Sequence, residues 1–297
     1  MLLENLSLQS TIECVNKALK CIETRSRDSN TSFTKCTLRL LLILAKAYYK
    51  SNKKPLAIET FNEILKTDSS NLEALKGLAE IEFEDKNYSQ AQKYVDLIYH
   101  LNPKSDWALA QLGYLHYLQN QYEEAKNRLL EALSLNKEVA IYNYWLGIVY
   151  WKMGGEFQSN KKYAQTQFLI SAKQDPTFAA NFTFLGHYYR LIEKDIDRAK
   201  KCYQKALSLD QLDEEAGIAL SDLYLEHHQH SLAVSIYREV TSRSTRIKWA
   251  WMRLSLYQLS KGQYDEAVVG FQTTLRSDPK DSVCWQGLAE TYKRQGG

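Results

Sequence analysis

Seven alanines, Ala57, Ala91, Ala125, Ala164, Ala199, Ala233 and Ala267, return along the chain at intervals of 34, 34, 39, 35, 34 and 34 residues. Four positions beyond each stands a larger apolar side chain: Phe61, Val95, Leu129, Phe168, Tyr203, Tyr237 and Phe271. Thirteen positions before five of them stand Leu44, Leu78, Leu112, Leu220 and Leu254. Most cycles close on an acidic or amide residue, as at Asp68-Ser69, Asn102-Pro103, Asn136-Lys137, Asp175-Pro176, Asp210-Gln211 and Asp278-Pro279. A spacing of four puts two side chains on one helix face, and Asp/Asn-Pro ends a helix. Such a cycle has room for two helices of about three to four turns each. A hairpin that short cannot bury its apolar face alone, so its neighbours must stack on it.

The spacing matches the tetratricopeptide pattern W-x2-L-G-x2-Y…A-x3-F…P. The expected fold class is therefore all-α, a right-handed superhelical solenoid of tetratricopeptide helix-turn-helix repeats. Composition agrees: 4 Pro and 12 Gly in 297 residues leave little for tight-turned sheets, and apolar content of 44% supports a sizeable core. Gly113, Gly147, Gly186, Ala45, Ala79 and Ala289 are expected where helices cross, because a larger side chain there would push the axes beyond about 8–10 Å. The repeats divide as 38–71, 72–105, 106–139, 140–178, 179–213, 214–247 and 248–281. Residues 1–37 read as a partial helical repeat and a polar loop, and 282–297 as an incomplete eighth repeat. Both ends read as cut, which points to a piece of a longer superhelix or a truncated isoform. Residues 154–163 add five residues to one inter-helix turn and residues 193–199 add one to the next; both are expected as surface insertions.

The remaining composition excludes several function classes. A net charge of +3 is no footprint for nucleic acid. Contact with RNA through Lys152, Lys161, Lys162 and Arg190 is not expected, since charges on repeat surfaces are ordinarily solvated. Cys14, Cys21, Cys36, Cys202 and Cys284 form no C-x-x-C pair and suit a reducing compartment. No run reaches the roughly 18 apolar residues of a membrane span. The expected location is the cytoplasm, with the nucleus open as well. His227-His228-Gln229-His230 is the one metal-like cluster, but it lies in a turn without a ligand-spaced Cys or carboxylate. Phosphate-loop, nucleophile-elbow and zinc-protease motifs are missing. The expectation is a non-enzyme that carries no cofactor and no metal.

In this architecture the second, fifth, ninth, twelfth and thirteenth places of each first helix line the concave groove. Those places hold Trp107, Tyr114, Tyr117, Tyr144 and Trp151 in repeats three and four, His187 and Arg190 in repeat five, and Trp249 and Met252 in repeat seven. Aromatic and Arg side chains are typical interface anchors, and these nine are the candidate partner-binding set. Packing against a neighbouring repeat is the competing role for each. A carboxylate clamp for chaperone tails is not formed: repeat one offers Leu42 and Lys46, repeat two Lys76 and Glu80. Nor is there an Asn ladder of the sugar-transferase superhelix kind.

Several runs are not demanded by the generic repeat: YWLGIVYWKMGG (144–155), FLGHYYR (184–190), KKCYQKALSLD (200–210), KWAWMR (248–253) and DPKDSVCWQGLAETY (278–292). They resemble the tetratricopeptide scaffold subunits of superkiller complexes, most specifically over residues 140–297. The resemblance implies a cytoplasmic scaffold that holds a DExH-box RNA helicase and WD-repeat propellers and serves exosome-mediated 3′-to-5′ mRNA decay. Two other readings stand beside it. One is a generic peptide-binding adaptor unrelated to RNA decay. The other is the regulatory arm of an enzyme encoded downstream.

Overall fold

Helix starts are written into the sequence as a short polar residue followed three positions later by a small buried one. Asn71, Ser105, Asp213 and Asp281 each accept a hydrogen bond from the backbone N–H of Ala74, Ala108, Ala216 and Cys284, at 2.9–3.2 Å. Those four acceptors satisfy N–H groups that the first helical turn leaves free, and the four residues that donate to them are 0% exposed. In the computed structural model, which describes residues 2–25, 31–153 and 158–296, this grammar yields sixteen α-helices and no strand among the described residues.

The described residues fall into two units, 1–137 and 138–297. The first holds α1 (Leu2–Arg25), α2 (Thr31–Lys50), α3 (Lys54–Thr67), α4 (Leu72–Glu84), α5 (Tyr88–Leu101), α6 (Asp106–Leu118) and α7 (Tyr122–Leu135). The second holds α8 (Ala140–Lys152), α9 (Gln158–Gln174), α10 (Ala179–Tyr188), α11 (Ile196–Leu209), α12 (Glu214–Glu226), α13 (His230–Arg243), α14 (Lys248–Ser260), α15 (Tyr264–Ser277) and α16 (Ser282–Gln295). Within each unit a helix packs on its neighbours in sequence, α2 on α3, α6 on α7, α8 on α9, α14 on α15. Nothing in the periodicity singled out the division near residue 137.

Hairpin turns repeat with the same period as the alanines. Asn52, Lys86, Asn120, Lys194, His228 and Gly262 all carry φ between 57° and 74°. At five of these turns the next residue's N–H reaches back across the turn to a helix carbonyl five positions earlier, as Asn87 does to Glu82 at 2.8 Å and Gln263 to Gln258 at 2.9 Å. Lys194 differs. A π-helical turn, Tyr189–Glu193, follows α10, and Asp195 N–H reaches six positions back to Tyr189 at 2.9 Å. The extra residue expected as a surface insertion is thus wound into the helix end, which keeps the turn and the Asp195 cap in register. The larger insertion behaves similarly where it is described: residues 158–163 are the first turns of the 17-residue α9, and residues 154–157 lie outside the described residues. At the N-terminal side, residues 31–37, expected as loop, belong to α2, because extending an existing helix costs far less than starting one.

All seven period alanines are 0% exposed, and their partners four residues on are 3% exposed or less. They seat against the crossing glycines. A Cβ on Gly147 would stand 2.6 Å from the Phe168 ring, and one on Gly186 2.4 Å from the Tyr203 ring. Ala45 and Ala79 are likewise buried, whereas Ala289, expected at a crossing, is exposed on α16; no described helix lies across that face.

Candidate partner-binding surfaces

In the first unit the hairpins' leading helices, α2, α4 and α6, carry the candidate surface. On α6, Tyr114 and Tyr117 are three residues apart and stack with ring centroids 6.1 Å apart; Phe83 of α4 lies 6.2 Å from Tyr114. Burial, then the neighbouring phenols Tyr88 and Tyr117, raise the Tyr114 pKa. Trp107, two turns earlier, packs against the Leu75–Ala79 core. The ammonium of Lys76 sits 5.2 Å from its ring centroid, a cation–π contact. Trp107, Tyr114 and Tyr117 are each half-buried; the structure joins the two tyrosines and leaves Trp107 apart from them.

Further toward the N-terminus a cavity of about 420 Å³ opens between α1, α2 and α4. Leu8, Ile43, Ala47 and Phe61 supply apolar wall. Lys46, Lys50, Lys76, Glu73 and Glu80 stand around it. Lys46 donates to Glu73 at 2.5 Å, and that bond holds the Glu73 carboxyl below its ordinary pKa against its burial. Glu80 moves the other way: its burial outweighs the nearby Lys76, so its pKa is raised. In sequence, Lys46, Lys76 and Glu80 stand only at the places where a carboxylate clamp is not formed. The Ala47–Phe61 floor and the α1 wall of the cavity have no sequence signature, because α1 carries only part of a repeat.

In the second unit Phe184 of α10 is the centre of an aromatic cluster. Its ring lies 5.9 Å from Tyr144, 6.2 Å from Trp151, 5.1 Å from Phe168 and 5.9 Å from His187. Tyr144 also meets Phe178 edge-on at 4.7 Å. Tyr144, Trp151 and His187 are thus brought together, by a residue the groove pattern passed over; only the unusual FLGHYYR run marked it. Lys161 covers one face of Trp151, its ammonium 3.9 Å from the ring centroid, and donates to the Trp151 carbonyl. Burial, and then Lys152, lowers the Lys161 pKa.

Next to this cluster His187 is held from both sides. Its Nε2 lies 3.0 Å from Glu215 and its Nδ1 2.7 Å from the Tyr203 hydroxyl. An ionised carboxylate only accepts, so Nε2 donates to Glu215, while Nδ1 pairs with the Tyr203 hydroxyl. The His187 contact lowers the Glu215 pKa despite partial burial, and burial pushes the Tyr203 phenol upward. Arg190 donates to Glu226 at 2.6 Å. His187 and Arg190, with Ile218 and Asp222, border a shallow depression of about 540 Å³.

Trp249 does not belong to an open face. It is 6% exposed, meets Tyr237 edge-on at 6.1 Å, and fills the space that Gly217 leaves: a Cβ there would stand 2.7 Å from its ring. Its place in the helix gave the expected groove position, but the small residue opposite turned it into core. Met252 is half-buried and packs partly against the Leu259–Phe271 core. In the histidine cluster, His227 Nδ1 is 2.8 Å from the Leu223 carbonyl and His228 occupies the left-handed turn position. No group of three metal-ligating side chains is assembled among the described residues, and no described helix is long and apolar enough to cross a membrane.

Comparison with known proteins places these repeats. Models of the tetratricopeptide repeat match residues 43–106 and 179–211, and a TPR repeat model matches 113–154. The chain is 34% identical to superkiller complex protein 3 of Homo sapiens over 295 residues, 97% of this chain and 18% of that protein. It is 28% identical to superkiller protein 3 of Schizosaccharomyces pombe over 294 residues, 94% of this chain and 21% of that protein. The chain therefore spans about a fifth of these relatives' length. Among solved structures, a chain of the APC/C hetero-tetramer Cut9–Hcn1 superposes with a TM-score of 0.62 over 95% of this chain and 52% of that one, at 14% identity. That likeness concerns the fold.

Proposed function

The chain is a tetratricopeptide-repeat protein similar over nearly its whole length to superkiller complex protein 3, and on that premise we propose that it is a non-catalytic protein-interaction scaffold of a superkiller-type complex. In this reading it works in the cytoplasm and holds a DExH-box RNA helicase and WD-repeat propellers in place for exosome-mediated 3′-to-5′ mRNA decay. The observation that carries the reading is the near-continuous similarity to the superkiller proteins. The half-buried aromatic side chains support it, because large flat side chains that are not fully buried suit a partner's backbone and side chains. Trp107, Tyr114, Tyr117, Tyr144, Trp151, His187, Arg190 and Met252 are the proposed partner-facing residues; Trp249 supports them from the core.

Affinity purification of the full-length protein tests this. The expected result is co-purification of a DExH helicase and WD-repeat subunits, reduced in a Trp107→Ala, Trp151→Ala variant that keeps its helical circular dichroism. An anchor of this kind is worth roughly 2–4 kcal/mol. Recovery of chaperones without a helicase would favour the generic adaptor. Unchanged recovery with the double variant would remove these two tryptophans from the binding surface.

A further inference from the structure

The cavity between α1, α2 and α4 has features that core packing does not require. Its volume of about 420 Å³ lies in the range that bound groups occupy, about 300–1,000 Å³, and exceeds what a packed interior leaves empty. Its mouth keeps Ile43 47% exposed, although a β-branched aliphatic side chain gains by burial. The wall is apolar while the rim is charged, the usual division between an anchoring pocket and its surround. The rim charges are also unequal. Lys46 and Glu73 neutralise each other across 2.5 Å. Glu84, which accepts from the lining Tyr49, is paired with Lys54, and Lys50 and Lys76 then face the carboxylate of Glu80. Lys76 is held beside Trp107, which fixes a cation at the α4–α6 side of the mouth.

We propose that this cavity is a docking pocket for a protein partner's segment that inserts one large apolar side chain and sets flanking Asp or Glu carboxylates against Lys50 and Lys76. The proposal rests on the scaffold reading and sharpens it to one place and one partner chemistry. α1 is part of the device: Leu8 closes a side of the pocket that α2 and α4 alone would leave open. The inserted side chain would cover Ile43, above the already buried Ala47 and Phe61. The carboxylates would be drawn to the lysines, with a dependence on salt expected of contacts at a solvated rim.

The test uses the 297-residue chain and fluorescein-labelled nine-residue peptides with a central Trp. One peptide carries Asp and Glu on both sides, a second carries Lys in their place, and a third keeps the acids with a central Ala. Fluorescence anisotropy at low salt is expected to show the acidic Trp peptide binding at least about tenfold more tightly than either other peptide, one decade being about 1.4 kcal/mol. Ile43→Asp, at an exposed position, is expected to abolish that preference with unchanged thermal stability. Lys50→Glu with Lys76→Glu is expected to transfer it to the Lys-flanked peptide. Equal binding of the three peptides, no binding, or acidic-peptide binding that survives Ile43→Asp would each overturn the proposal. Affinity purification of full-length protein carrying Ile43→Asp separates the two readings. Helicase and propeller recovery that is unchanged removes the pocket and leaves the scaffold; failure of the unsubstituted protein to recover them removes the scaffold itself.

Discussion

Gly186 and Tyr203 show how much of this protein is decided by single side chains. The ring of Tyr203 is fully buried against the glycine, with its hydroxyl 2.7 Å from His187. A methyl group at Gly186 would meet the ring at 2.4 Å, closer than any real Cβ contact, so the buried ring or the helix must shift. Gly186→Ala is therefore expected to cost roughly 1–3 kcal/mol by overpacking, read from urea unfolding as a lower midpoint at unchanged slope. A surface-sized loss of a few tenths would show that the crossing is loose. Charge at the residue scale is equally local. Lys248 lies 2.6 Å from Asp278 and 2.8 Å from Asp281, and the lysine contact is the main cause that holds both carboxyls below their ordinary pKa. A carboxyl whose folded pKa is depressed binds its proton less readily than in the unfolded chain. Its stabilisation is thus full above the ordinary carboxylate range and fades as pH falls through it. Lys248→Met is expected to flatten the fall of Tm between roughly pH 5 and 3 at low salt; an unaltered pH slope would count against the pairing.

At the scale of the element, the six left-handed turn residues expose a mismatch between turn geometry and residue type. Gly262 suits its φ of 74°, and Asn52 and Asn120 tolerate theirs, but Lys86 at 59° carries a Cβ that the conformation disfavours. Lys86→Gly is expected to raise stability by up to about 1 kcal/mol, and Gly262→Ala to lower it by about 1–2 kcal/mol; opposite shifts in thermal denaturation would check both. Helix ends were legible from the sequence at cycle closers such as Asp68-Ser69 and Asn102-Pro103, just before which α3 and α5 end. The π turn after α10 was not. Its cause is that Asp195 must still cap α11 although one residue more stands between Gly186 and Ala199 than between Gly113 and Ala125, a constraint felt only when both helices are packed. The candidate surface was read with the same unevenness. Helix register found Tyr144, Trp151 and His187, yet it passed over Phe184, which joins them, and it placed Trp249 on the groove when the absent side chain of Gly217 draws it inside.

For the whole molecule, stacking along the sequence makes stability a matter of neighbours. Phe61 is 1% exposed in the core of the first unit, and Phe61→Ala is expected to cost about 3–5 kcal/mol locally. Hydrogen exchange should then lose protection in α2–α4 while α12–α15 stay as protected as before; uniform loss across the chain would show a single cooperative body instead. The sequence alone determined that the chain is helical and repetitive and which seven alanines recur in register, because these follow from spacings of 4 and about 34 residues that each hairpin expresses by itself. Tertiary structure decided the break near residue 137, the burial of Trp249, the Phe184 cluster and the pocket under α1. Each of these depends on which side chain stands opposite, and opposition across stacked helices is a three-dimensional fact that no local spacing encodes.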